Sequence, residues 1–524
     1  MFDLLIKGAF IVDGTGRKAF KSGLAVSDGK ITLTSEDVPA REVIDASGLF
    51  VCPGFIDAHS HGDGVLGTPH GRLCKTSQGV TTEITGQCGA TLYPVLPGRA
   101  GLLRQACGSI AKHLPAAMDT FTSLQAYLNY VQGLDLTANF KILTGHFALR
   151  AATVGFEDRE ATEKELEDMK SLLRQSMEQG SLGFSTGLIY PPSCFGRKRE
   201  IVELCKVVAE YGGVYATHMR NEASGVVQSV KDSLDVARES GCKLEISHHK
   251  VCGRDNWGAS EQTLKLMDEA AAQGVALGFD VYPYTASCSN LNVCLPPRCF
   301  ARGIEKMRQM VGASANRRAI ADEMKVMDGR YRHCGGFTGI MISGCPSAPE
   351  AEGKTVADYA AELGRDPFDV YFDLLAVNGS AATAIYFSMC DEDLCRIVGH
   401  ERAMIGSDGV VRDLVEKTHP RGFGAFPHCI STFVKEKKLL SLEAMIRKMT
   451  SLPASFLNLT GKGVIADGAD ADLLIFDYDR ICDRADYASP LALCDGIERV
   501  VVAGETVYKD KELTGKYPGK FLKP

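Results

Sequence analysis

The sequence contains no apolar run approaching the roughly 18 residues that a membrane-crossing helix requires. No transmembrane segment and no membrane partner is expected. It also lacks long runs of like charge, low-complexity tracts and short-period repeats, which excludes disordered, fibrous and solenoid classes. Positive charge is not in excess, with 58 Lys+Arg against 65 Asp+Glu and a net charge of −7. That excludes a globally basic nucleic-acid binder. The opening MFDLLIKGAFIVDG breaks its apolar residues with Lys7 and two glycines, so neither a secretory core nor a cleavage signature is seen. A cytoplasmic location is expected. No CxxC pair occurs, which leaves a structural zinc knuckle unsupported.

What is present is an ordinary globular composition, 45% hydrophobic and 23% charged over 524 residues. Such a length suits two or three domains, or one α/β barrel with insertions. Cysteine is abundant, at 18 residues. In a reducing compartment most of these are expected to be packed as small apolar side chains.

Residues 1–53 read as short β-pieces punctuated by glycine and Asp-Gly turns, and residues 463–524 return to the same pattern. The two ends are expected to build one small β-sandwich. Between them, residues 54–462 alternate short apolar runs with amphipathic stretches such as ATEKELEDMKSLLRQSMEQG, whose apolar positions follow the helical period and which closes on Gly180. Strand-then-helix alternation predicts a parallel sheet with crossover helices. The strand candidates GFIDAHSH, TTEITGQCG, KILTGHFAL, LGFSTGLIY, GVYATHMRN, LEISHHKV, ALGFDVYPY and AMIGSDG number eight, the count of a (β/α)8 barrel. An inserted lobe is expected at about 285–400, before the last strand.

Chemistry in such barrels sits where the strands run out. His59, His61, His146, His218 and His248 fall at the polar ends of strand candidates, with His249 beside the last. His59 and His61 form an HxH pair that two exposed histidines would also produce by chance. His218, His248, Asp408 and Cys88 at other strand ends each have a plain structural alternative as well: a satisfied core histidine, a helix cap, a packed thiol. Placed together at one end of a barrel they are better explained by a site for a borderline-soft divalent metal.

The order of HSHGD, GVTTEITGQCG, TGHFALR, GSLGFSTGLIYPP, YATHMRNEASG, ISHHK, DVYPYTAS, IGSDG, HPRGFG, MTSLPASFLNL and ADLLIFD resembles the N-acyl-D-amino-acid deacylase (D-aminoacylase) family of the amidohydrolase superfamily, across nearly the whole chain. That resemblance implies a zinc-dependent hydrolase whose small-molecule substrate is an N-acyl-D-amino acid. It implies a tight zinc on Cys88, His218 and His248, and a second, weaker metal position lined by His59, His61 and Asp408. Asp408 is the candidate general base, and Tyr190 and His61 are candidates for oxyanion support. Lys250, Tyr282, Ser287 and Arg421 match positions that grip the substrate α-carboxylate.

The resemblance also separates the chain from dihydroorotase, hydantoinase and urease, whose fourth strand carries a carboxylated lysine, because GFSTGLIY has none. The sequence departs from the family pattern at His249, at Gln87 of GQCG and at Ser193 and Cys194 of YPPSCFG. Arg298 in LPPRCFARG is a hint of an acidic substrate side chain, set against a surface arginine. A cyclic-amide hydrolase, or an inactive barrel that serves as a binding protein, stand as alternatives. Nothing in the sequence speaks to oligomeric state.

Overall fold

The computed structural model describes residues 1–106, 114–300, 303–409 and 417–523. Its centre is a ring of parallel strands: Phe55–Asp57, Val80–Thr85, Asn139–Ile142 continued by Thr144–Gly145, Gly183–Gly187, Val214–His218, Lys243–Ile246, Leu277–Val281 and Ala403–Ile405. Here they are called strands one to eight of the barrel. The ring closes between the first and last, where Ala58 N donates to Ile405 O at 3.2 Å and Ser60 bridges Gly409 in parallel. Strands two, four, five and seven are buried along their whole length, as parallel strands between a packed interior and a helical coat must be.

Local chemistry sets the helical coat. The helix Glu163–Glu178 starts on a capping box, in which the Thr162 hydroxyl accepts from Glu165 N and the Glu165 carboxylate reaches back to Thr162 N. It buries Leu166, Met169, Leu173 and Met177 on one stripe and gives way to Gly180 at φ 101°. The expected (β/α)8 barrel is therefore present.

Both chain ends build a β-sandwich beside it. One sheet runs Lys30–Thr34, Gly23–Ser27, Phe2–Lys7, Ala40–Asp45. The other pairs Phe50–Pro53 antiparallel with Leu473–Phe476 and carries Ile497–Val502 beyond it. Leu4, Ile6, Leu24 and Val26 pack with Val51, Leu473, Ile475 and Val501 in one dry core. The hairpin between Gly23–Ser27 and Lys30–Thr34 turns on Asp28 and Gly29, at φ 51° and 70°, the geometry a two-residue turn demands.

Between strands seven and eight lies a lobe with its own sheet, ordered Ala286–Asn290, Thr383–Phe387, Ile340–Gly344. It has a separate core that includes Leu291, Met307, Ile320, Ile342, Tyr371 and Leu375. Gly253 N donates to Ser388 O at 2.7 Å, which ties the lobe to the loop after strand six. Among the described residues no helix is long and apolar enough to cross a membrane.

A buried ion pair fastens the barrel seam. Lys75 Nζ lies 2.6 Å from Asp57 Oδ2 and donates to Ser407 Oγ at 3.0 Å, while Ser407 N donates to Asp57 Oδ1 at 2.7 Å. Strands one and eight are thus held at the end where the candidate ligands begin. Replacing Lys75 with Met would leave Asp57 charged, dry and without its cation, at a cost of about 3–5 kcal/mol. A chemical denaturation midpoint equal to that of the unmodified protein would refute this role.

Candidate metal centre

All the candidate ligands lie at or just past strand ends. His218 is the last residue of strand five. His59 and His61 follow strand one, which stops at Asp57, so the HxH pair is not strand geometry, yet its rings stand 5.3 Å apart. Cys88, His248 and Asp408 follow strands two, six and eight with φ of 54°, 37° and 47°. Left-handed backbone at non-glycine residues costs about 1–3 kcal/mol each and persists where the surroundings over-determine it. The turn that holds Cys88 is fixed by Gly86, at φ 73°, where a Cβ would stand 2.2 Å from Leu143 O.

The side chains converge. Cys88 Sγ is 3.3 Å from His248 Nε2, 3.4 Å from His59 Nε2 and 3.7 Å from His218 Nδ1. Asp408 Oδ1 is 3.1 Å from His61 Nε2 and 3.6 Å from His59 Nε2. Bond lengths of about 2.1 Å to nitrogen and 2.3 Å to sulfur place neighbouring ligands of a tetrahedral ion about 3.6 Å apart. The sulfur–nitrogen spacings match that separation, and one thiol, imidazoles and a carboxylate are the donors that zinc prefers. The residues present therefore fit the metal. Strand four, Gly183–Gly187, supplies no lysine.

Behind the ligands stand carboxylates that sequence reasoning missed. Glu222 Oε1 lies 3.1 Å from His248 Nδ1, and its Oε2 lies 3.5 Å from His218 Nε2. Asp280 Oδ2 lies 3.1 Å from His59 Nδ1. Asp280 bonds the His59 nitrogen that faces away from the centre, which sets that ring's orientation and tautomer, and Glu222 places its charge beside the outward nitrogens of His218 and His248. Glu222 had a signal, since it follows His218 by four residues in THMRNE. Asp280 had none, being one polar residue within an apolar strand.

Burial by itself would raise the Cys88 thiol, but the imidazoles of His248 and His59 hold it well below the ordinary thiol range. Burial likewise opposes ionisation of Glu222, and His218, Lys250 and His248 carry it well below the usual carboxylate range. Asp408 follows the same rule, with Arg421 and His248 overcoming burial. The centre is a set of buried anions held ionised by adjacent cations.

A cavity of about 620 Å³ opens over it, lined by the barrel mouth and the lobe. Tyr282 Oη and Ser287 Oγ are buried without a partner there. Arg421 lies over the Tyr282 ring at 4.6 Å, with Nη1 2.8 Å from Asp408 Oδ2. Tyr190 sets its ring edge on His218 at 5.0 Å, with its hydroxyl 3.4 Å from Ser289 Oγ. Lys250 reaches the same place, but from a loop beyond strand six rather than from a strand. Its ammonium is engaged, 2.5 Å from Glu222 Oε1 and 2.7 Å from His248 Nδ1.

Three residues marked in the sequence lie apart. His146 opens a helix, His146–Thr153, and its ring turns from the centre to Ser193 at 2.5 Å and Glu200 at 2.7 Å. His249 Nε2 pairs with Thr263 Oγ1 at 2.9 Å. Arg298 corrects the hint of an acid-binding arginine: it does not line the cavity, because its guanidinium pairs with Glu323 at 2.7 Å on the lobe surface.

Removing the charge of Glu222 while keeping its shape, as in Glu222→Gln, is expected to weaken zinc binding about 10–100-fold. Competition against a chelator measures this, and an unchanged affinity would show that Glu222 does not orient the ligands.

The amidohydrolase family model matches residues 42–325 and 402–508 of the chain. The D-aminoacylase of Alcaligenes xylosoxydans xylosoxydans is 33% identical over 99% of this chain and 97% of its own. The N-acyl-D-aspartate deacylase of the same organism is 34% identical over 100% and 95%. Among solved structures, the N-acyl-D-glutamate deacylase of Bordetella bronchiseptica, complexed with zinc and a phosphonate mimic of the tetrahedral intermediate, superposes with a TM-score of 0.84 at 33% identity, covering 100% of both chains. The L-hydantoinase of Arthrobacter aurescens shares the fold alone, with a TM-score of 0.54 at 16% identity over 100% of both chains. The chain belongs to the amidohydrolase family and, within it, to the group of D-aminoacylase and the N-acyl-D-amino-acid deacylases.

Proposed function

We propose that this protein hydrolyses the amide bond of N-acyl-D-amino acids, with zinc as cofactor, to release a carboxylate and a free D-amino acid. The observation that carries the reading is the Cys88–histidine cluster with Asp408 beside it, set under a cavity that holds unpartnered hydroxyls and Arg421. Cys88, His218 and His248 would hold the tight metal, and His59, His61 and Asp408 the weaker one. When bound, zinc supplies Lewis acidity toward a carbonyl and makes water more acidic near neutral pH.

The chain's own groups do the rest. Asp408, held ionised, takes a proton from the attacking water and returns it to the leaving amine, as a carboxylate beside the reacting atoms can do for both transfers. Arg421, Tyr282 and Ser287 grip the α-carboxylate, the guanidinium offering paired donors. Lys250 shares its ammonium between Glu222 and that carboxylate. Tyr190 and His61 face the carbonyl oxygen as negative charge develops on it. A ring-opening hydrolase is disfavoured by strand four, which lacks the lysine expected of that group, and an inactive binding barrel is disfavoured because every ligand position is filled. The cysteines among the described residues are free thiols, which supports action in the reducing cytoplasm.

Metal-loaded protein is expected to cleave N-acetyl-D-amino acids and to leave the L-forms at least 100-fold slower; failure on every D-form would sink the reading. Cys88→Ala should lose tight zinc by elemental analysis together with activity. Asp408→Asn should lower kcat by about 10²–10⁴-fold with the tight zinc retained, and near-normal kcat would remove Asp408 as the base.

A further inference from the structure

The carboxylate clamp occupies one side of the cavity mouth, and an aromatic ring faces it from the other. In a closed ring of eight strands the third and the seventh stand opposite each other. Tyr282 follows strand seven, with Arg421 over its ring at 4.6 Å. Phe147 stands two residues past Gly145, the end of strand three, and lines the same cavity. His59 and Cys88 reach in from strands one and two on one flank, His218 and His248 from strands five and six on the other, so the cluster they form lies between these two walls.

Phe147 is placed with little freedom. A Cβ at Gly89 would stand 3.0 Å from its Cδ1 and one at Gly187 would stand 3.1 Å from its Cζ, so the ring fills the space that these two glycines leave beside the Cys88 turn. Tyr190 meets it edge-on at 6.3 Å. The helix His146–Thr153 that carries it is anchored by Ala148 and Leu149, both fully buried, and by the bonds of the His146 ring to Ser193 and Glu200. The ring itself is 5% exposed, and close packing behind it holds it in place.

A trans amide directs its two substituents to opposite ends of the bond. With the α-carboxylate at Tyr282 and Arg421 and the carbonyl over the thiol–histidine cluster, the acyl chain points at Phe147. We propose that Phe147 is the specificity-determining residue for the acyl group, confining it to short chains such as acetyl. This rests on the hydrolase reading above.

Two series of compounds test it on the zinc-loaded protein. One varies the acyl group on a single D-amino acid through acetyl, butyryl and hexanoyl, and the other keeps acetyl while the side chain lengthens from D-alanine to D-norleucine. The unmodified protein is expected to favour acetyl over hexanoyl at least about ten-fold in kcat/KM, as misfitted methylenes do in a pocket. In Phe147→Ala the phenyl ring leaves and the longer chain can enter, so that ratio should fall at least about ten-fold while the side-chain series keeps its order. Phe147→Leu is expected to fall between, and carries the test should Phe147→Ala fail to fold. A ring that served only packing would lower every member alike and leave both series as they were. No preference for acetyl in the unmodified protein, an acyl ratio unmoved in the variants, or a shift in the side-chain series instead overturns the proposal. If neither series is hydrolysed the hydrolase reading fails, and calorimetric binding of the same compounds still reads Phe147: an affinity preference for acetyl over hexanoyl that Phe147→Ala abolishes upholds its role, and an unchanged preference overturns it.

Discussion

A thiol buried among imidazoles is tolerable only if charge is balanced at every step outward from it, and this requirement organises the barrel mouth. Cys88 is held ionised by histidines, the histidines stand against Glu222, Asp280 and Asp408, and two of those carboxylates are paired in turn, Glu222 with Lys250 and Arg330 and Asp408 with Arg421. Removing a member of any layer strands a buried charge, which is why such groups come in connected sets rather than singly.

The layers come from different parts of the chain. Cys88, His218 and His248 sit on three strand ends, Arg330 on the inserted lobe, and Arg421 on the helix that follows strand eight. A barrel suits this task because its strands end together at one rim, where short departures into left-handed backbone carry Cys88, His248 and Asp408. The lobe adds a wall that the barrel alone cannot supply, and brings its own core with it.

Much of this was legible in the sequence. All eight strands could be read because each ends in polar residues after an apolar run, a pattern that burial on both faces imposes. The innermost cluster was legible for the same reason, as histidines and a cysteine at strand ends. The outer layers were not. Arg330 looks like any surface charge in sequence, and Glu222 is marked only by its four-residue spacing from His218; the closed ring and the docked lobe bury them both. His146 occupied the same kind of position as the candidate ligands that converge, but strand three breaks at Leu143 and a helix begins at His146, so its ring turns away. Of the two readings of Arg298 the surface arginine holds, because its guanidinium pairs with Glu323 outside the lobe's own core.

The pairing of Phe50–Pro53 with Leu473–Phe476 has a temporal side. The two partners are more than 400 residues apart in the chain. At the ~5–20 residues per second of synthesis, the early strand waits roughly 20–80 s for its neighbour. During that interval its apolar edge lies open, a template for the wrong partner. A ribosome-bound intermediate of this protein is therefore a barrel in progress with an unclosed sheet at its start, because the partner strand is encoded near the other end of the chain.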